Sequence, residues 1–268
     1  MIPAPTPALT GLTVLVTRPV EAGASLCRKI AALGGEALSL PAIVIEPLTE
    51  PVLVSSSPAA GSAGAQQYDV VIFVSPNAVA HGLKAVPRTP DTHLAAIGKS
   101  TAAALAEAGA APAIVPEEGF TSEALLAQPG LQSDSVQHVL IVRGGTGREV
   151  LGETLLARGI EVDYLEVYRR VPATIDTATQ TALETRWNLG GVDVVTATSG
   201  EVLHNLHSML SAAGRQLFAA TPLLVVSPRL AEAARALGCQ GEILVAPSAD
   251  DDTLIGVLAR WRTRARVP

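Results

Sequence analysis

The sequence predicts an α/β fold of two similar domains with parallel sheets flanked by helices. Three observations carry this. Short β-branched runs alternate with Ala-rich helical stretches along the chain, the pattern of strand–helix–strand units around parallel sheets. Hydrophobic residues make up 48% of the 268 residues but aromatic ones only 3%, so the core is aliphatic, as in sheets buried on both faces. The same order of motifs also occurs twice, Val14 and Val139 opening the two copies, the mark of an internal repeat.

The first strand is Thr13–Thr17 (TVLVT), and helix Ala22–Leu33 ends at Gly34. A strand at Glu36–Leu40 continues as Ile43–Ile45, and LSLPAIVIEPL, with two prolines among strand formers, suits an extended crossover. Ser55–Gln67 is low in apolar content and reads as a loop or disordered insert. Then come strand Val70–Val74, helix Pro76–Leu83, strand His93–Ile97 and helix Ser100–Ala108. Strand Ala113–Val115, helix Ser122–Ala127 and a polar loop at Gln128–Gln137 come next. Strand Val139–Val142 leads to helix Arg148–Arg158, and strand Glu161–Val167 opens a second crossover, VDYLEVYRRVP. The last third holds strands Val192–Thr196, Leu223–Val226 and Ile243–Val245, and helices Gly200–Leu210, Arg229–Leu237 and Asp252–Trp261. Gly34, Gly109, Gly159 and Gly238 stand just past helices, where the left-handed stop falls.

The repeat covers three units. VLVTRP matches VLIVRG and aligns Arg18 with Arg143, Gly34 with Gly159 and Pro47 with Pro172. YDVVIFVSPNAVAHGL from Tyr68 matches VDVVTATSGEVLHNL from Val192, with Asp69 and Asp193 in register. LAAIGKSTAAALAEAGA from Leu94 matches LLVVSPRLAEAARALGC from Leu223. Two pairings remain open. The copies fold in tandem, or the first strand–helix–strand completes a sheet with the last third around an inserted middle. Two crossovers favour the second.

Composition excludes several classes. No apolar run reaches the roughly 18 residues of a membrane span, and MIPAPTPALTG lacks the basic start and apolar stretch of a secretory signal. Net charge of −6 argues against a nucleic-acid surface. Cys27 and Cys239, far apart in Ala/Leu-rich helical stretches, read as buried thiols of a reducing, cytoplasmic compartment. Enzyme signatures fail on inspection. Gly98-Lys99-Ser100 lacks the opening glycine of a P-loop, since His93 stands there, and a dinucleotide fingerprint from Gly145 meets Val150 where glycine belongs. His204 and His207 have no nearby acidic or cysteine partner for a metal.

What remains is a set of strand-to-helix turns with small polar residues and arginines. They are Thr17-Arg18-Pro19, Ser75-Pro76-Asn77, Gly98-Lys99-Ser100-Thr101, Phe120-Thr121-Ser122-Glu123, Arg143-Gly144-Gly145, Thr198-Ser199-Gly200, Ser227-Pro228-Arg229 and Ala246-Pro247-Ser248. Ligands of open α/β sheets bind at such strand ends, and unpaired N–H groups there attract anions. Ser, Thr and Asn are also ordinary helix caps. Eight such turns in two related domains point to a cleft that grips a polyanion largely by main chain.

VTRP at Val16, FVSPNAV at Phe73, AIGKSTAAAL at Ala96, FTSEALL, VRGGTGRE at Val142, VDYLEVYRR at Val162 and the terminal SADDDTLI resemble, in that order, the uroporphyrinogen-III synthase family. The resemblance covers nearly the whole chain. It implies two α/β domains joined by a two-stranded connector: residues 1–43 plus 172–268 as one, 47–168 as the inserted other, and 44–46 and 169–171 as connectors. It also implies a cyclising hydro-lyase of haem (porphyrin) biosynthesis that needs no metal or organic cofactor. The family takes linear hydroxymethylbilane, an octacarboxylate, removes water, closes the ring and inverts ring D.

By this resemblance Tyr168, in EVYRR, is the catalytic candidate, its phenol hydrogen-bonding the departing hydroxyl. Arg18 and Arg143 would pair with substrate carboxylates. Ser75, Asn77, Gly98, Thr101, Thr121, Ser122, Gly144, Gly145, Arg148, Thr198, Ser199, Ser227 and Arg229 complete the expected binding set. Leu230 stands where the other copy has Thr101, and Arg229 is the substitute there. A monomer is expected, with hydroxymethylbilane as partner, transient contact with the synthase that supplies it, and neither nucleic acid nor membrane. The rival reading is a two-lobed ligand-sensing module without turnover.

Overall fold

In the computed structural model, residues 7–55, 67–119, 121–145 and 150–265 are described. The chain forms two compact units, residues 1–44 with 171–268 and residues 45–170.

The first unit holds β1 (Thr13–Val16), α1 (Val20–Ala32) and β2 (Glu36–Ser39), and its later part supplies β8 (Val194–Ala197), β9 (Leu223–Val225) and β10 (Ile243–Val245). These strands form one sheet in the order β10-β9-β8-β1-β2, every neighbouring pair parallel. The second unit holds most of β3 (Ile43–Ser55) and β7 (Glu161–Pro172), with β4 (Val70–Phe73), β5 (His93–Ala96) and β6 (His138–Gly144), in the order β3-β7-β6-β4-β5. β3 and β7 carry the chain across the boundary between units.

The repeat holds at the level of register. Thr13 pairs with Glu36 in one sheet and His138 with Glu161 in the other. Val14 pairs with Val194, and Val139 with Val70. The aspartates do the same work in both copies. Asp193 Oδ2 accepts from the Thr13 N–H at 2.7 Å, and Asp69 Oδ2 accepts from the N–H groups of Gln137 and His138 at 2.8 and 2.9 Å. Each carboxylate pins the start of its neighbouring strand.

Strand periodicity places the core. In the second unit Val70, Ile72, Val139, Ile141, Val162 and Tyr164 pack on one face. Val71, Phe73, Leu140, Val142, Leu165 and Val167 pack on the other. Successive residues point to opposite faces, so both faces are buried under helices. In the first unit Val14, Val16, Val194 and Leu224 pack with Leu26 and Ile30 of α1. Leu254 and Leu258 of α10 (Asp251–Ala265) join that layer.

Several expected elements are revised. β3 runs on to Ser55 instead of stopping at Ile45. Its prolines at 47 and 51 are tolerated because β3 is an edge strand. Ala113–Val115 contributes one bridge, Ile114 to Ala95, and no strand. The loop expected at Gln128–Gln137 contains a 3₁₀ turn, Pro129–Leu131, which buries Leu131. Cys239 is buried as expected, but Cys27 is only partly so. Of the insert expected at Ser55–Gln67, residues 56–66 lie outside the described residues. Among the described residues no helix is long and apolar enough to cross a membrane.

Two helices go beyond the sequence-based expectation: α6 (Thr177–Asn188) and α8 (Ala212–Ala220). α6 buries little beyond Trp187, whose indole N–H donates to Thr221 Oγ1 at 2.8 Å. Asp176 caps its start by accepting from the Thr179 N–H at 2.9 Å. The remaining helices are α2 (Pro76–Gly82), α3 (Lys99–Glu107), α4 (Ser122–Leu126), α5 (Val150–Ala157), α7 (Gly200–Met209) and α9 (Pro228–Ala236).

Candidate active site

In the second unit the site forms at the carboxyl edge of the parallel strands. β6 and β7 pair residue by residue from His138–Glu161 to Arg143–Glu166, and then Gly144 pairs with Tyr168. One extra residue, Val167, makes a bulge, and a bulge re-aims the side chains beyond it. Strict alternation would put Tyr168 on the face of Val162 and Tyr164. It packs instead with Leu165 and Val167, on the face that also carries Val71 and Phe73. Ser75 lies two residues past Phe73 along the chain, so the bulge brings the phenol to the serine.

The resulting geometry is close. The Tyr168 hydroxyl lies 3.1 Å from Ser75 Oγ, and its side chain is 7% exposed. Ser75 is the N-cap of α2, and its Oγ accepts from the Ala78 N–H at 3.0 Å. The Tyr168 ring lies on the Gly144 backbone: a Cβ there would sit 2.6 Å from Cε2. The Gly145 N–H donates to the Tyr168 carbonyl at 2.9 Å. Asn77 stands partly buried in the first turn of α2. His81, on the last turn of α2, is a neighbour that no sequence motif marks. Its ring centroid is 6.2 Å from that of Tyr168, at 55°.

The other expected residues of this unit that are described lie on α3, α4 and β6. Gly98 is the extended N-cap of α3, and Thr101 is buried in the first turn of that helix. Thr121 caps α4 by accepting from the Ala124 N–H at 3.2 Å, and Ser122 is its first residue. Arg143 Nη2 lies 3.3 Å from Glu166 Oε1, and its guanidinium stacks 4.0 Å over the Tyr164 ring. Arg148 lies outside the described residues.

In the first unit, Arg18 is 9% exposed and donates to Asp251 Oδ1 at 2.8 Å and to the Ala249 carbonyl. Thr17 and Thr196 link β1 to β8 through side-chain bonds to backbone carbonyls. Ser199 caps α7 and Ser227 caps α9, each accepting a helix N–H at 3.2 Å. Thr198 is partly buried beside Ser199, and Arg229 is exposed on α9.

Arg18 and Arg143 each pair with a carboxylate of their own unit, Asp251 and Glu166. Asp251 opens α10, in the SADDD run, whose role as an arginine partner needs the fold to become visible. Next to it, Asp250 accepts from Ser248, the Thr253 hydroxyl and the Thr253 N–H, which holds its carboxyl down to about 2. At the opposite edge of the second sheet, Tyr68 donates to buried Asp163 at 2.9 Å; burial first, then that carboxylate, push the Tyr68 phenol up.

Residues 24–256 match the family described as "Uroporphyrinogen-III synthase HemD". The chain is 37% identical over 256 residues to the uroporphyrinogen-III synthase of Escherichia coli (strain K12), covering 92% of this chain and 100% of that one. It is 38% identical over 254 residues to the enzyme of that name from Salmonella typhimurium (strain LT2), again covering 92% and 100%. The fold is similar to that of uroporphyrinogen-III synthetase from Helicobacter pylori 26695, with a TM-score of 0.55 at 14% identity, over 94% of this chain and 100% of that one. With a family model matched over residues 24–256 and 37% identity to a relative over 92% of this chain, the chain belongs to the uroporphyrinogen-III synthase family.

Proposed function

We propose that the chain converts hydroxymethylbilane to uroporphyrinogen III, as a cyclising hydro-lyase of tetrapyrrole (haem) biosynthesis. In the first step the C–O bond of the hydroxymethyl group breaks as the adjacent pyrrole nitrogen pushes in its electrons. The oxygen leaves as water, taking a proton from the Tyr168 phenol, and an azafulvene cation remains. The cationic carbon then bonds to the already substituted α-carbon of ring D. The older C–C bond from that carbon to the methylene shared with ring C breaks, and ring D turns over. The methylene re-bonds to the free α-carbon of ring D, and the proton lost from that carbon restores the phenol.

The observation that carries this reading is the Tyr168 phenol, buried and hydrogen-bonded at the carboxyl edge of a parallel sheet, in a chain of this family. The remaining residues serve binding. The hydroxyls of Thr121, Ser199 and Ser227 accept helix N–H groups, and each hydroxyl still has a hydrogen to donate to a carboxylate. Main-chain groups at Gly98, Gly144 and Gly145, with Asn77, Thr101, Ser122, Thr198 and Arg229, extend the set. Arg18 and Arg143, each oriented by a carboxylate of its own unit, pair with substrate carboxylates. Much of the task is shape control: closure without catalysis gives the uninverted isomer, so the direct route must be blocked while the other is held. The protein acts as a cytoplasmic monomer, without a cofactor, and takes its substrate from the synthase that makes it.

Freshly made hydroxymethylbilane given to the purified protein tests this. The type III isomer is expected as the main product. Type I alone at high protein concentration would leave the ligand-sensing reading as the better account.

A further inference from the structure

We infer that Ser75 is a positioning residue for Tyr168: its hydroxyl steadies the phenolate that forms when Tyr168 gives up its proton. The inference rests on the reading that Tyr168 protonates the leaving hydroxyl. Three observations build it. Ser75 Oγ is 3.1 Å from the Tyr168 oxygen. The same Oγ already accepts the Ala78 N–H at 3.0 Å. Tyr168 is 7% exposed, and among the described residues Ser75 is the side chain hydrogen-bonded to its phenol.

A hydroxyl has one hydrogen to give, and so does a phenol. In the resting protein either oxygen can be the donor to the other. During the reaction the choice disappears. Once the Tyr168 proton moves to the departing oxygen, the phenolate has no hydrogen left, so Ser75 must donate. The Ala78 N–H occupies one lone pair of Ser75 and polarises its O–H, so the two bonds strengthen each other. The Ser75–Tyr168 bond thus changes from a neutral contact to a charge-assisted one, roughly doubling in strength. An interaction stronger in the transition state than in the ground state raises kcat and leaves KM nearly unchanged.

Ser75 also caps α2, and that role must be separated from the chemistry. Glycine caps a helix nearly as well as serine but offers no hydroxyl. Ser75→Gly is expected to lower kcat about tenfold with KM within about twofold. Ser75→Thr, which returns the hydroxyl, should restore most of the rate. In a Tyr168→Phe background, Ser75→Gly should cost no more than about twofold, since residues acting through one group are not additive. Equal losses in both backgrounds, or a Ser75→Thr variant as slow as Ser75→Gly, would overturn the inference. So would full-speed Ser75→Gly alongside slow Tyr168→Phe. Full-speed Tyr168→Phe would instead overturn the role of Tyr168 itself, so the two failures are told apart.

Discussion

Gly144→Ala is the sharpest perturbation of this site. The added Cβ would lie 2.6, 2.8 and 3.1 Å from Cε2, Cζ and Cδ2 of Tyr168. Carbon atoms rest about 3.5–4.0 Å apart, so the ring must retreat by about 1 Å. It has little room, being 7% exposed and packed with Val142, Leu165 and Val167. Overpacking of this kind costs about 1–3 kcal/mol, which lowers Tm by roughly 2–10 °C. The same retreat stretches the 3.1 Å Ser75–Tyr168 bond to about 4 Å, past hydrogen-bonding range. A displacement near 1 Å can cost about a hundredfold in rate. Thermal unfolding and turnover of fresh hydroxymethylbilane, followed by isomer-resolved chromatography, read both effects. We expect kcat to fall tenfold to a hundredfold, together with the drop in Tm. Unchanged Tm and unchanged turnover would refute the close approach of ring and backbone and the positioning drawn from it.

Three further outcomes are expected. Tyr168→Phe should slow turnover by about a hundredfold or more while keeping product affinity within a few-fold; unaltered turnover would remove the phenol from the chemistry. Asp251→Ala should cost about 3–5 kcal/mol in urea unfolding, because it strands the Arg18 charge at 9% exposure; a loss under about 1 kcal/mol, the range of exposed pairs, would show the pair to be of little structural weight. The folded Asp250 carboxyl lies near 2, below its usual range, so its contribution is present above about pH 4 and is lost as pH falls toward 2. Asp250→Asn keeps an acceptor for the Thr253 N–H without titrating, so its Tm should fall less steeply than the wild type over that window; parallel curves would contradict the assignment.

The fold was legible in the sequence where its signals are local or repeated. The aspartate repeat, Asp69 and Asp193, corresponds to carboxylates that pin equivalent strands. α6 escaped because a Thr-rich helix that buries little beyond Trp187 has no apolar stripe to read. The end of β3 escaped because Pro47 and Pro51 argue against a strand until its edge position is known. At the site, Tyr168, Ser75 and Gly144 stand out as separate motif residues, but their meeting depends on a one-residue bulge that alternation cannot foresee. The partners of Arg18 and Arg143 were hidden for different reasons. Asp251 is far away in sequence, and Glu166 is joined to Arg143 only by the strand register.

The central claim is that this chain steers ring closure rather than merely holding a tetrapyrrole. The direct measurement is the isomer ratio formed from fresh hydroxymethylbilane as protein concentration rises. If the claim is right, the type III fraction climbs until the catalysed route outruns spontaneous closure and then dominates. A ratio that stays at type I across the whole range, with substrate still binding, would contradict it.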